Sequence, residues 1–238
     1  MATFLAPAAY AASKSLAAQG LSAKRSHLSE IIAALLGYRT LAALTAEELD
    51  PGLTYHLDDA EFIVLNQPMG IERAATLNLQ ASTQVVAYCV AALRGAIPHA
   101  QVCDDIADFY DTYGRQALAE TIYEDEDVAI SMAESNASFV DEPELSIECP
   151  PTEDLWTAVN EWKIQSDGDM IGEYDPNGDR MFNGDTLKCS GWLVYQKAGR
   201  AGLVFQEGGA GASADDSWRD QDYKDEQAYF AYQQSLKP

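Results

Sequence analysis

Apolar positions in the first fifty residues recur every three or four places, the period of helices with one buried face. Residues 7–19 are alanine-rich, with Pro7 suited to a first helical turn and Gly20 to a C-terminal stop. In HLSEIIAALLG, Leu28, Ile31, Ile32, Leu35 and Leu36 form one stripe, Ser26 is placed to cap it and Gly37 to end it. RTLAALTAEEL then restarts as a short helix with Leu41 and Leu44 facing inward. The pattern predicts a three-helix module over residues 1–50.

Residues 51–140 read as a second helical region, opened by the break at Pro51 and Gly52. Pro68 and Gly70 are expected to interrupt EFIVLNQPMGIERAATL, whose first half, EFIVL, is short enough to be strand or helix. TQVVAYCVAALRGAI is apolar almost all round, which predicts a buried central helix ended by Gly95 and Pro98. HAQVCDDIADFYDTYGRQALAETIY reads as amphipathic, with Val102, Ile106, Phe109 and Tyr113 on one stripe.

From residue 141 the period changes. Prolines mark an exposed connection, and residues 141–206 alternate as short antiparallel strands: AVNEWKIQS, DMIGEYD, TLKCSGWLVYQK and AGLVFQ. The turns are assigned to DGD, DPNGD, NGD and AGRAG. Residues 207–238 read as a GGAGASADD linker followed by an aromatic helix capped near Ser213 and docking through Trp218, Tyr223 and Phe230. The fold class is therefore α+β: a helical N-terminal region, then a small antiparallel β-meander or sandwich half, then a C-terminal helix.

Charge adds a polarity that the pattern does not show. Thirty-eight Asp and Glu against fifteen Lys and Arg give −23, so the surface as a whole repels phosphates and anionic membranes. The first 45 residues run the other way, with Lys14, Lys24, Arg25 and Arg39 against Glu30. No apolar run nears the roughly 20 residues that span a bilayer, and the N-terminus lacks the basic start of a secretory signal. The expected location is the cytoplasm. Cys89, Cys103, Cys149 and Cys189 are widely spaced with no CxxC pair, which points to reduced thiols serving as small hydrophobes.

One stretch carries a resemblance. In residues 21–48, Ser26, His27, Leu36, Gly37, Tyr38, Arg39 and Leu41 resemble the short helical module of the glyoxalase-related protein family, whose capped helix ends in an LGYR or LGFR corner. It covers about an eighth of the chain and implies no glyoxalase activity; the stretch is read as a structural or docking module. The same two helices and bend also resemble a helix-turn-helix, but the second helix offers only Arg39 before turning acidic.

Signatures of chemistry are sparse. DGD and DPNGD gather oxygens but miss the calcium-loop pattern, since Arg180 stands where glycine is needed and Thr186 where a bidentate glutamate is needed. His27, His56 and His99 lie in separate segments, with only Cys103 near His99. There is no GxSxG elbow, and GGAG lacks the lysine of a phosphate loop. No catalytic residue, metal ligand or cofactor is expected.

The expected function is a non-enzymatic binding protein that engages a basic protein partner, as inhibitors, antitoxins, immunity proteins and DNA mimics do. Its partner-facing residues are expected to be Asp104, Asp105, Asp108 and Asp111 with Glu124, Asp125, Glu126 and Asp127. Two other classes stay open. One is a regulatory nucleic-acid binder using the N-terminal module, with Lys24, Arg25 and Arg39 reaching phosphate. The other is a small-ligand sensor or enzyme built on Trp162, Tyr174 and Trp192, recognisable by a deep pocket.

Overall fold

The structure, a computed structural model, describes residues 3–179, 181–217 and 229. It is an α+β fold with its first helices at the N-terminus and a six-stranded mixed sheet. Two compact units divide the chain. The first holds Met1–Leu118, Ile147–Gln165 and Trp192–Gly208; the second holds Ala119–Ser146, Ser166–Gly191 and Gly209–Pro238.

In the first unit, α1 (Leu5–Ala18), α2 (Arg25–Leu35) and α3 (Leu41–Glu48) form where the apolar period places them. Both α1 and α2 end as left-handed glycine caps. Gly20 at φ +75° lets the Leu21 amide reach the Leu16 carbonyl at 3.0 Å, and Gly37 at φ +83° lets the Tyr38 amide reach Ala33 at 2.9 Å. Thr40 caps α3 by accepting the Ala43 amide at 3.1 Å. Ser26 does not cap α2: the helix starts earlier, with extended Lys24 at the cap position.

The stretch EFIVLNQPMGIERAATL breaks just ahead of Pro68, and α4 (Gln67–Thr76) then runs through Pro68 and Gly70. Asn66 caps it by accepting the Met69 amide at 3.0 Å, Pro68 sits in the first turn where its missing N–H costs nothing, and Gly70 faces Leu35. α5 (Ser82–Ala96) is one-faced, not buried all round: Val85, Val86, Cys89, Val90 and Leu93 point inward, while Ala87, Ala91 and Gly95 are exposed. Small residues on the outer face had made it read as uniformly apolar. α1 packs on α2 and α5, and α2 packs on α4, around a core containing Leu16, Leu28, Ile31, Ile32 and Leu35.

EFIVL resolves as a strand, β1 (Phe62–Val64), paired in parallel with β2 (Gln101–Cys103). Residues 101–103 were expected to be helical; the helix begins only at α6 (Ile106–Phe109), because Asp105 caps it there. A π-helical turn, Tyr110–Gly114, leads on to α7 (Arg115–Glu124), and α8 (Glu126–Ser135) follows.

β3 (Glu144–Leu145), β4 (Glu161–Ile171), β5 (Thr186–Ala198) and β6 (Gly202–Ala214) complete the sheet, in the order β2-β1-β6-β5-β4-β3. β4 and β5 are antiparallel: Lys197 donates to the Asn160 carbonyl at 2.9 Å and Gly172 to Asp185 at 2.6 Å. The predicted meander is therefore the middle of a larger sheet, extended by β3 at one edge and by the parallel β1–β2 pair at the other. β4 to β6 each pass through both units.

Two expected loops are strand. β4 runs straight through DGD, where an added Cβ at Gly168 would lie 2.5 Å from the Glu144 carbonyl oxygen, so close backbone approach accounts for the glycine. β6 runs through GGAGASA, because backbone hydrogen bonds build a ladder without large side chains. Ser213 thus lies in a strand. The expected C-terminal helix with Trp218, Tyr223 and Phe230 falls outside the described residues.

Beneath the sheet portion of the first unit, Phe62, Phe109, Trp162 and Tyr195 pack edge-on and tilted, Phe109 lying 5.8 Å from Trp162 and 5.6 Å from Tyr195. The second unit has its own core of Ile122, Val128, Met170, Leu187 and Cys189.

Candidate functional site

The LGYR corner and the β5–β6 turn meet in the first unit. Tyr38 is fully buried; its phenol donates to Glu47 Oε1 at 2.8 Å and accepts the Arg200 amide at 3.1 Å. Gly199, at φ +67°, packs so close to that phenol that an added Cβ would lie 2.7 Å from its oxygen. The Arg200 guanidinium lies over the Tyr38 ring, 5.3 Å from its centroid, with Nε 3.8 Å from Glu47. Burial first, and then Glu47, push the Tyr38 phenol well above its ordinary range, so it stays a neutral donor.

Of these, Glu47, Gly199 and Arg200 form one wall of a cleft of about 570 Å³. Tyr55 and Trp156 supply its aromatic faces, and Asn160, Gln196, Lys197 and Arg200 its polar groups. Trp156 is held by its indole N–H, which donates to the Val64 carbonyl at 2.9 Å. Lys197 is the unusual member. The residue is only 8% exposed, its Nζ donates to the Arg200 carbonyl at 2.7 Å, and among the described residues no carboxylate oxygen lies within 4.0 Å of it. Burial pushes the amine down to about 7, against a partial upward pull from Glu47 and Asp154.

A second, shallower hollow lies in the second unit, lined by Asp167, Asp169, Lys188 and Ser213. There Lys188 pairs with Asp169 at 2.6 Å and sits 3.8 Å from Asp215.

The acidic residues singled out by sequence fall in two separate places. In the first unit, Asp105 caps α6 by accepting the Asp108 amide at 2.8 Å, and Asp108 Oδ2 accepts the Asp104 amide at 2.7 Å. Asp104 pairs with Arg94 at 2.9 Å and accepts from Gln67 at 2.8 Å, and Asp111 is exposed. This group thus has local work in starting a helix. In the second unit, Asp125 caps α8, accepting the Asp127 amide at 2.9 Å, and takes the Ala210 amide at 3.0 Å. Glu124, Glu126 and Asp127 are exposed.

Lys24 and Arg25 sit at the start of α2, Arg25 lying 5.9 Å from the Tyr10 ring centroid. Arg39 is exposed beyond the far end of that helix, in a small hollow with Arg73. Eleven helical residues rise about 16 Å, so the three cations do not converge on one phosphate. Of the expected ligand-binding aromatics, Trp162 is buried in the core of the first unit, Trp192 lies under Lys163 there, and Tyr174 packs on Phe182 in the second unit.

Among the described residues no group of three or more His, Cys, Asp or Glu could hold a metal ion. All four cysteines are unpaired, and burial pushes the Cys103 thiol up to about 12. No helix among the described residues is long and apolar enough to cross a membrane.

Fold and site together define an α+β protein with an acidic second unit and a small polar cleft in the first. No family model, curated protein or solved structure matches the chain.

Proposed function

We propose that the protein is a non-enzymatic binding protein whose acidic second unit engages a basic protein partner, in the manner of an inhibitor, antitoxin or immunity protein. The observation that carries this reading is how the charge divides between the units. The second unit holds 21 of the 38 Asp and Glu but only five Lys and Arg, about −16 of the total −23 on the smaller part of the chain. Residues 119–146 contain no Lys or Arg at all.

Like charges this dense repel, by a few tenths of a kcal/mol per neighbouring pair, so the fold gains little from gathering them. Capping explains Asp125, and the helix dipole favours Glu126 and Asp127 in the first turn of α8, but neither accounts for exposed Glu124 or for the absence of any compensating cation over residues 119–146. Such a surface steers a cationic partner and rejects nucleic acid and anionic lipid. The LGYR corner is read as structural: Gly37 and Tyr38 hold α2 against the β5–β6 turn. Unpaired, high-pKa thiols fit a reducing compartment, and the proposed site of action is the cytoplasm.

The test is affinity capture on the full chain at about 0.05 M and 0.5 M salt, where the Debye length falls several-fold. Expected is a partner rich in Lys and Arg that is held at low salt and released at high salt. A partner retained equally at both would contradict the proposal.

A further inference from the structure

The cleft in the first unit has no part in an acidic docking surface, and it contains a group that such a role leaves unexplained. Lys197 lies near the end of β5 on the face that alternation turns inward, after Leu187, Cys189, Leu193 and Tyr195, all buried. An apolar side chain is the ordinary occupant of that position. A lysine there costs free energy, because its ammonium is taken out of water. One hydrogen bond, to the Arg200 carbonyl at 2.7 Å, and the more distant charges of Glu47 and Asp154 compensate only in part; no carboxylate oxygen among the described residues lies within 4.0 Å. A lysine serving as structural glue would be paired, as Lys188 is with Asp169 at 2.6 Å.

We propose that Lys197 is the carbonyl-accepting amine of a ligand site, and that the cleft takes a small aldehyde or ketone bearing an anionic group. The cleft volume of about 570 Å³ accommodates a small organic molecule. Arg200, whose side chain is 43% exposed on the same wall, offers the anion-binding donors, and Trp156 and Tyr55 line the cleft with aromatic surface. Burial lowers the amine's pKa to about 7, so a large fraction is neutral and nucleophilic at pH 7.5.

The step is a condensation. The neutral Nζ lone pair attacks the carbonyl carbon, a C–N bond forms, and the carbonyl oxygen leaves as water with the two protons from the nitrogen. The product is an imine, and no oxidant or reductant is consumed.

Trapping tests this directly on the unmodified full-length protein. Pyruvate serves as the anionic keto probe and propanal as the neutral one, each with cyanoborohydride, which delivers hydride to the imine carbon and fixes the adduct. Peptide mapping then locates the label. Expected at pH 7.5 is pyruvate labelling of Lys197 at least tenfold above that of Lys14, Lys24, Lys163 and Lys188, rising through a midpoint near pH 7. Labelling spread evenly over the lysines, or absent from Lys197, would overturn the site. In Arg200→Gln, checked for an unchanged melting transition, pyruvate labelling should fall about tenfold while propanal labelling persists. An equal fall for both probes, or none, would overturn the anionic part. The acidic-surface proposal is independent of either result, since its residues lie in the other unit.

Discussion

Trp162→Ala is expected to lower stability by about 3–5 kcal/mol, the usual cost of emptying a large aromatic from a core. Trp162 is 1% exposed, touches Phe109 and Tyr195 ring to ring, and its indole N–H donates to the Glu153 carbonyl at 3.0 Å. Truncation therefore loses apolar burial and aromatic contacts, and leaves one carbonyl without its donor. Trp192→Ala is the control. That ring is half-buried and engaged by Lys163 at 4.9 Å, an arrangement worth about 1 kcal/mol at a surface. Denaturant unfolding of the two variants should separate them clearly; equal losses would mean that the aromatic cluster is not the anchor of the first unit.

Lys197→Met should raise stability, and by an amount that depends on pH. The native amine titrates near 7 against an ordinary value of 10.5, so folding carries a cost on the order of 4 kcal/mol wherever both states are protonated. The sign follows from proton counts. Below pH 7 both states hold the proton and the native state carries the full cost. Between pH 7 and 10.5 the unfolded state holds more protons than the native one, so wild-type stability rises with pH. The advantage of the methionine variant is thus greatest at pH 6 and should shrink by about 2–3 kcal/mol by pH 9. Urea midpoints at the two pH values check this, and a pH-independent difference would contradict the burial of a titrating amine.

How much of this was readable beforehand depends on what each residue signals. The helices α1 to α3 were legible because Leu28, Ile31, Ile32 and Leu35 repeat the helical period and Gly20 and Gly37 mark its ends. β5 was legible from its alternation. The GGAGASA part of β6 was not, since glycine and alanine carry no period and read as linker. α5 misled for the same reason, its exposed alanines counting as apolar in sequence and as surface in the fold.

The acidic residues were visible as a composition but not as geometry. Asp105 and Asp125 look like their neighbours in sequence, yet each caps a helix. The cleft was invisible as a unit, because Glu47, Trp156 and Lys197 are joined only by folding. One signal was available: period-two counting from Leu187 places Lys197 on the inward face, the only charged residue on that face of the strand.

The most direct measurement of the acidic-surface proposal is the affinity of the captured partner for two sets of charge-neutralised variants over a range of salt. Glu124→Gln, Glu126→Gln and Asp127→Asn together remove exposed charge from the second unit, whereas Asp111→Asn removes it from the first without touching a cap. The triple variant should weaken binding at least tenfold and flatten its salt dependence, and Asp111→Asn should change it less than threefold. Affinity unchanged in the triple variant, with the wild-type salt dependence retained, would contradict the proposal.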